Sequence, residues 1–274
     1  ACEGIFLILT GMLKKVIVAD YLAANIIDRV FDNPSGFSTV ECLIAVHAYS
    51  WQLYGDFSGY TDIARGSAKL FGFELPDNFA RPWRSTGPIE FWRTWHMTLG
   101  RWVQDYVYKP LGGSRYGPYR TYFNLFVCFM AVGIWHGAGW AYVLFALYQS
   151  IGVVLNRVWR DIFEVKGPPP FGVKAIVLVV LTQFFFMGAW TIFRAPDLDR
   201  MYALWNQLFF ANEWVPLRIT TWTAILLIGM PIIHFTPRRW WNQGCEYFTK
   251  SPVNLQALFV AAIGAVVMWV GAQQ

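Results

Sequence analysis

The sequence predicts an all-α, polytopic helical membrane protein with short, broken and interfacial helices. Of its 274 residues, 56% are hydrophobic and only 14% are charged, a composition unlike that of an ordinary soluble domain. Aromatic residues make up 19% of the chain. Trp and Tyr concentrate where membrane proteins meet the interface between lipid and water. A long uncharged stretch between Arg120 and Arg157 adds a third indication.

The N-terminal part predicts two helical regions joined by a turn. Residues 4–31 are interpreted as an interfacial or partly inserted helix. It is expected to end before residues 32–36, DNPSG, whose residue types favour turns. Residues 37–54 predict a membrane helix, and Gly55-Asp56 is expected to break it. Asp56 and Asp62 are costly in lipid and should therefore face protein or water.

The segment 81–120 concentrates the positive charge of the chain. It holds seven Lys and Arg residues against two acids, a balance of +5, and the whole chain also has a net charge of +5. By the positive-inside rule this segment belongs on the cytoplasmic side of a membrane. Nucleic-acid binding is the competing interpretation of a basic patch. The membrane-type flanks exclude it, so we expect no nucleic-acid partner.

Within this segment, residues 92–107 have the periodicity of one amphipathic helix. Its apolar face collects Trp92, Trp95 and His96, among others, and the opposite face carries Arg93 and Arg101. Such a helix suits a membrane interface or packing against a membrane-embedded core. An imidazole among indoles is partly desolvated, which favours its neutral form near pH 7.

The uncharged stretch from 121 to 156 predicts a helical hairpin with His136 at its turn. As one helix at about 1.5 Å per residue, it would be about 54 Å long, well beyond a hydrocarbon core of about 30 Å. The natural break is His136-Gly137-Ala138-Gly139, because glycine weakens helices and permits close backbone approach. An ionisable residue at membrane depth predicts a functional site.

The C-terminal half predicts further spans. Residues 157–170 are expected to form a polar, Pro-rich loop, followed by a full-length span at 171–193. Residues 197–210 predict an amphipathic connector. Two further spans are expected near 219–235 and 253–270.

The four cysteines do not predict a metal centre. They lie far apart and none forms a CxxC pair, so neither a metal site nor a disulfide framework is indicated. We expect no metal and no bound cofactor.

Several strings resemble the membrane-bound O-acyltransferases, in particular their bacterial alginate O-acetylation branch. The matching strings cover roughly residues 10–200 in the order of the family: KKVIVADYLA (14–23), DFSGYTDIA (56–64), LFGFELPDNFARPWRS (70–85), FWRTWHMTLGRWVQDYVYKPLGG (91–113), GIWHGAGWAYVLFALY (133–148) and FRAPDL (193–198). The family's N-terminal helices have no counterpart here. We therefore expect residues 1–274 to be a single membrane-embedded domain that forms the C-terminal portion of a longer protein.

The resemblance implies an enzyme that moves an acyl group from a cytoplasmic thioester donor through the membrane towards an acceptor on the far side. The donor would be acetyl-CoA or an acyl-phosphopantetheine carrier, used as a substrate. In this branch the acyl group, acetyl in our interpretation, reaches an exopolysaccharide such as alginate, or another envelope polymer, through a periplasmic or extracellular SGNH-type acetyltransferase partner. The expected location is the bacterial inner membrane, in contact with membrane lipid.

The resemblance also implies the catalytic residues. The histidine of the WHG triplet, His136, corresponds to the signature active-site histidine, and His96 of FWRTWH to the second functional histidine. His136 is the candidate base, or alternatively the nucleophile, while His96 would position the thioester or donate to its oxygen. Gln104 and Gln149 depart from the family pattern, where arginine and histidine respectively are common.

Five further residues are candidate substrate-binding residues. The indoles of Trp92, Trp95 and Trp140 would wall a central tunnel and exclude water. Arg93 and Arg101 would meet the donor's phosphates at the cytoplasmic mouth. Two alternatives stay open, namely a transporter or channel with His136 lining a pore, and a non-catalytic scaffold for envelope enzymes.

Overall fold

The computed structural model describes residues 1–137, 139–165, 171–211 and 217–272, and across these ranges it contains helices and no strand. The all-α prediction is confirmed. The chain forms two compact units. One consists of Ala1–Pro76 with Trp205–Gln274, and the other consists of Asp77–Leu204.

The first unit begins with a nearly continuous helical stretch. Helix α1 (Cys2–Met12) continues through two wide π-helical stretches, Leu13–Asp20 and Ala23–Ile27, into α2 (Asp28–Asp32). A single 3-10 turn over Pro34–Gly36 follows, which confirms the predicted turn. Helix α3 then extends over Thr39–Leu70.

The expected break at Gly55-Asp56 is wrong, because α3 continues through it as a helix of 32 residues. Glycines in α3 serve close packing against α1 instead. A Cβ atom on Gly59 would lie 2.7 Å from the carbonyl oxygen of Gly11, too close for any side chain. Asp56 pairs with Lys15 at 2.8 Å, and Asp62 pairs with Lys14. Both aspartates thus contact protein, as predicted.

A capping box starts α3. The Ser38 hydroxyl accepts a hydrogen bond from the Glu41 backbone N–H, and the Glu41 carboxylate accepts from the Ser38 backbone N–H at 2.9 Å. The Glu41 carboxylate also accepts a hydrogen bond from the backbone N–H of Arg218 at 2.9 Å. These bonds explain how an acidic residue that is only 1% exposed sits near the start of an apolar helix.

The described part of the second unit is built mainly from five α-helices. The helices are α4 (Pro88–Thr94), α5 (Met97–Val103), α6 (Gly117–His136), α7 (Trp140–Ile162) and α8 (Val173–Arg194), with a π-helical stretch over Gln104–Tyr108. The prediction of one helix over 92–107 is wrong, since the helix ends at Thr94 and a new one begins at Met97.

The hairpin prediction is confirmed. Helix α6 ends at His136 and α7 begins at Trp140, with Ala138 outside the described residues. The two arms pack closely, because a Cβ atom on Gly133 would lie 2.2 Å from that of Ala146. The Ser150 hydroxyl also donates to the Phe126 carbonyl at 3.1 Å.

The C-terminal predictions are confirmed in part. Helix α8 confirms the span at 171–193. The loop at 157–170 starts later than predicted, because α7 continues to Ile162, and residues 166–170 lie outside the described residues. Two further helices match the predicted connector and the span at 253–270, namely α9 (Leu198–Phe209) and α12 (Val253–Gly271). Helix α10 (Thr221–Phe235) lies where the span near 219–235 is expected, and α11 (Arg238–Lys250) was not predicted.

Three of the described helices are long and apolar enough to cross a membrane: α7, α8 and α12. Helix α10 is apolar but shorter, with 15 residues. At about 1.5 Å per residue it covers about 23 Å, less than a hydrocarbon core of about 30 Å.

Candidate active site

His96 lies at a sharp break between two short helices of the second unit. Trp95 is extended, and His96 adopts the left-handed conformation with φ 45° and ψ 54°. That conformation costs an L-residue other than glycine roughly 1–2 kcal/mol. Non-glycine residues in this region concentrate at functional sites, where the surrounding structure holds them.

Asn78 supplies the bonds that hold the break. Its side-chain oxygen accepts from the backbone N–H of Thr98 at 3.1 Å and from the Thr98 hydroxyl at 3.0 Å. The Asn78 carbonyl accepts from the backbone N–H of Met97 at 3.0 Å. Because the first N–H groups of a helix need acceptors, Asn78 caps α5 in the way that an N-cap side chain does.

Stacked aromatic rings fix α4 beneath His96. Trp95 is buried and stacks on Phe91 with ring centroids 5.4 Å apart. Phe91 in turn stacks on Phe186 of α8 at 3.6 Å. This packing explains the apolar face of the sequence pattern, although the residues on it do not belong to one helix.

His136 ends α6 within a cage of aromatic rings. The ring centroids of Phe193 and Tyr142 lie 5.1 Å and 6.4 Å from that of His136, and that of Phe145 lies 6.3 Å away. The imidazole is half-buried, and neither of its nitrogens has a hydrogen-bond partner among the described residues. A ring nitrogen is therefore available to a substrate.

The Trp135 indole brings the two histidines together. Its ring centroid lies 4.7 Å from that of His136 and 6.2 Å from that of His96. Burial, with a smaller electrostatic effect from His136, lowers the pKa of His96 to about 4. His96 is therefore neutral near pH 7 and carries one N–H donor and one acceptor nitrogen.

A cavity of about 270 Å³ opens beside His96. Three of the predicted substrate-binding residues, Trp92, Arg93 and Trp95, line it, and most of its other walls are apolar. His136 is not part of its lining. Arg101 is exposed on α5 and lies outside the lining, so its predicted role in binding is untested.

A second cavity, of about 480 Å³, lies between the start of α7 and the end of α8. Trp140, which is 73% exposed, lines it together with Tyr142 and Phe193. Tyr142 and Phe193 are the rings that contact His136. Among the described residues, no residue lines both cavities. His96 lines the first cavity, and ring neighbours of His136 line the second.

One face of α7 connects the surroundings of His136 with the first cavity. Phe145 contacts the His136 ring, and Val153 and Arg157 line the first cavity. With Gln149, these residues recur every fourth position, which places them along one side of a helix. Sequence reasoning missed Arg157 as a site residue, although this spacing from the hairpin turn was a readable signal. Arg157 also pairs with Asp161 at 2.9 Å.

The described residues contain no group of three His, Cys, Asp or Glu side chains placed to hold a metal ion.

Most of the chain is similar in sequence to a known protein family. Residues 5–194 match the model of the membrane-bound O-acyltransferase family, a range that includes both histidines. The chain is 36% identical over 196 residues to a peptidoglycan O-acetyltransferase of Helicobacter pylori, covering 72% of this chain and 36% of that protein. It is 36% identical over 266 residues to a probable alginate O-acetylase of Azotobacter vinelandii, covering 93% of this chain and 51% of that protein.

A more distant relative is the teichoic acid D-alanyltransferase of Bacillus subtilis, with 33% identity over 161 residues, 55% of this chain and 40% of that protein. The chain thus spans about half the length, or less, of the curated relatives that it matches. The family model covers more than half of the chain, and two of these relatives exceed 30% identity over more than two thirds of it. The chain therefore belongs to the membrane-bound O-acyltransferase family.

Proposed function

We propose that this protein is an O-acyltransferase of a bacterial inner membrane. It transfers an acetyl group from a cytoplasmic thioester donor across the membrane for O-acetylation of an exopolysaccharide or another cell-envelope polymer. The names of its relatives support this class of reaction, since they refer to peptidoglycan, alginate and teichoic acid. The observation that carries the proposal is the pair of histidines around the Trp135 ring, next to a cavity.

His136 is the proposed base. Its nitrogen takes the proton of the acceptor hydroxyl while the hydroxyl oxygen attacks the thioester carbonyl carbon. The carbon–sulfur bond then breaks, and the departing thiolate takes up the proton. His136 can alternatively attack the thioester itself and carry the acyl group transiently. The unbonded ring nitrogens at the end of α6 support both roles.

His96 is the proposed donor to the oxyanion. A histidine with a pKa of about 4 is a weak base at pH 7, so its neutral N–H suits hydrogen bonding to developing negative charge better than proton abstraction. Its left-handed backbone, held by Asn78, supports a ring fixed in one orientation. Such preorganisation is what stabilises a transition state.

The donor is proposed to occupy the cavity beside His96, as acetyl-CoA or as an acyl-phosphopantetheine carrier. The apolar walls suit an acyl chain and the pantetheine arm, and Arg93 and Arg157 supply cations for its phosphate groups. From Phe145 to Arg157 the helix rises by about 18 Å at 1.5 Å per residue. An extended pantetheine arm is of this length, so a phosphate at Arg157 would bring the thioester near His136.

The acceptor side is proposed to involve an SGNH-type acetyltransferase partner outside the inner membrane. The second cavity, with the exposed indole of Trp140, supports an opening through which the acyl group leaves. Membrane lipid surrounds the apolar helices in this proposal.

The test measures base-labile acetate on the envelope polymers of cells that carry variants in place of the native gene. His136→Ala and His96→Asn are expected to abolish acetylation at unchanged membrane levels of the protein. Asn is chosen at position 96 because it tolerates the left-handed conformation. Acetylation equal to wild type in either variant would contradict the assigned histidine role.

The matched control is His47→Ala in the first unit. The Nε2 atom of His47 accepts a hydrogen bond from the Trp51 indole at 3.1 Å, which is a structural role. Acetylation per unit of membrane protein should stay at the wild-type level. A loss equal to that of His136→Ala would mean that any histidine replacement inactivates the protein and that the assay does not report catalysis.

A further inference from the structure

The side chain of Gln149 is buried near the first cavity, and its amide nitrogen is unbonded among the described residues. The residue is 0% exposed in α7, a helix apolar enough to cross a membrane. Its Oε1 atom accepts a hydrogen bond from the Trp92 indole N–H at 3.1 Å. Its Nε2 atom has no hydrogen-bond partner among the described residues.

The orientation of this amide follows from its partner. An indole N–H can only donate, so the side-chain oxygen of Gln149 must face Trp92 and the NH₂ group must face away. An apolar side chain of similar size would remove the unbonded donor, but it would leave the indole N–H of Trp92 without its acceptor. The role of the amide is therefore to be sought at the indole.

Trp92 links the amide to the site. Its ring lines the cavity beside His96, and it lies four residues before His96 in the chain. Ring contacts with Phe129 at 5.4 Å and Phe186 at 6.0 Å hold it from the sides, while Gln149 fixes the edge that carries the N–H. The hydrogen bond selects one rotation of the indole, which ring packing alone does not do.

The position of Gln149 on α7 supports a role at the site. It lies four residues from Phe145, which contacts His136, and four residues from Val153, which lines the cavity. The residue thus stands midway along the face that runs from the histidine pair to the cavity. Elsewhere on that face the side chains are ring, aliphatic and cationic, so the amide is the neutral polar group on it.

We propose that Gln149 is a positioning residue for acyl transfer, in that it holds the Trp92 indole as the wall against which the thioester arm of the donor lies beside His96. The inference rests on the proposed function. It assigns a role in aligning the donor for reaction and none in the overall strength of donor binding.

The experiment measures acetyl transfer from radiolabelled acetyl-CoA in membrane vesicles that contain the protein with its native membrane partners. Gln149→Met keeps the volume but removes the acceptor of the indole N–H. We expect kcat to fall by roughly tenfold to a hundredfold, the range for small displacements of reacting groups, with KM for acetyl-CoA within about twofold of wild type. Thermal stability in the membrane should not fall in proportion, because an unbonded buried donor is also removed.

Ser150→Ala is the matched control at the next position. Ser150 is equally buried, and its hydroxyl donates to the Phe126 carbonyl without touching the cavity wall. This variant should lower thermal stability and leave kcat unchanged. If kcat fell in both variants in proportion to their loss of thermal stability, Gln149 would be a structural residue and the inference would be overturned.

A double-mutant cycle with Trp92→Phe tests whether Gln149 acts through the indole. Phe lacks the N–H, so in the Trp92→Phe background Gln149→Met should change kcat by less than about twofold. The difference from its larger effect in the wild-type background measures the coupling between the two residues. A further tenfold fall there would show direct action of Gln149 and overturn the positioning role.

The same vesicles separate failure of this inference from failure of the proposed function. If His136→Ala abolishes transfer while Gln149→Met behaves as wild type, only the inference fails. If His136→Ala retains full transfer, the proposed catalytic assignment itself fails, and the inference fails with it.

Discussion

Replacing Asn78 by alanine should release the left-handed turn that carries His96. The substitution removes the side-chain oxygen that accepts the two hydrogen bonds of Thr98, at 3.1 Å and 3.0 Å. At about 1 kcal/mol for each bond, the turn loses about 2 kcal/mol. This loss equals or exceeds the roughly 1–2 kcal/mol that the left-handed conformation of His96 costs. The turn then keeps the bond from the Met97 N–H to the backbone carbonyl of residue 78, but it is held less firmly against relaxation.

A loss of about 2 kcal/mol changes the equilibrium between the held and the relaxed turn by roughly thirtyfold, since 1.4 kcal/mol is tenfold. Acetyl transfer from acetyl-CoA in membrane vesicles should fall by at least about tenfold for a displaced catalytic group. Membrane levels should remain near wild type, because Asn78 contacts one turn and not the helix packing of the unit.

Two variants make the Asn78 prediction sharp. Asn78→Asp keeps an acceptor oxygen in the same place and should retain most of the transfer. Thr98→Val removes only the hydroxyl donor and leaves the backbone N–H bond, so its effect should be about half as large in free energy. Wild-type transfer by Asn78→Ala, at normal protein level, would refute the argument that this cap positions His96.

Three further predictions concern packing, pH and donor binding. Gly59→Ala should lower the amount of folded protein in the membrane, because the new Cβ atom would lie 2.7 Å from the Gly11 carbonyl oxygen. Gly264→Ala is the control and should leave that amount unchanged, because no atom of another described helix lies within 4 Å of its Cβ position. Because the pKa of His96 is lowered to about 4, the acid limb that it sets in the pH–rate profile of the wild-type protein should lie near pH 4. An acid limb near pH 6.5 in that profile would contradict this. Arg157→Gln should raise KM for acetyl-CoA severalfold with kcat largely kept, measured by initial rates, and an unchanged KM would argue against a phosphate contact.

The hairpin could be predicted from the sequence because its signals are local. A run of uncharged residues longer than a bilayer must fold back, and glycines next to His136 mark the place. The observed helices end and begin at His136 and Trp140, within the predicted break. Length, charge and glycine position do not depend on distant partners, so they can be read without a structure.

The turn at His96 could not be predicted in the same way. Residues 92–107 have helical periodicity, and the periodicity is satisfied piecewise by two helices that pack on the same aromatic core. The break depends on Asn78, which lies 20 residues away from Thr98 in the chain. An asparagine before a helix is a common cap signal, but nothing local indicates that it caps a helix that begins at Met97.

The break expected at Gly55 failed for a related reason. Glycine has two uses in helices, ending them and letting another backbone approach, and the sequence of α3 alone does not distinguish them. The helix that packs against the glycine decides which of the two uses applies. The carbonyl oxygen of Lys14 would lie 3.1 Å from a Cβ atom at Gly55, so the position is used for packing. The position after His136 differs, because two glycines, Gly137 and Gly139, follow it closely. No charged residue stands near them in the sequence that could form an ion pair with another helix.

The costly features of the second unit collect around the short helix α4. One end leads to the left-handed His96, and its middle contacts Gln149, whose amide donor is unbonded among the described residues. At its start, Glu90 accepts hydrogen bonds from the backbone and hydroxyl of Thr86, each at 2.8 Å, so this end is held by ordinary means. A seven-residue helix cannot hold such a register by itself, because helix formation needs longer segments to be stable. The ring contacts of Phe91 and the bond between Trp92 and Gln149 therefore fix it, while Asn78 fixes the start of α5. Selection for stability alone would favour a longer helix. His96 lines the first cavity, and Gln149 contacts Trp92, which lines it too, and this is what links both features to catalysis.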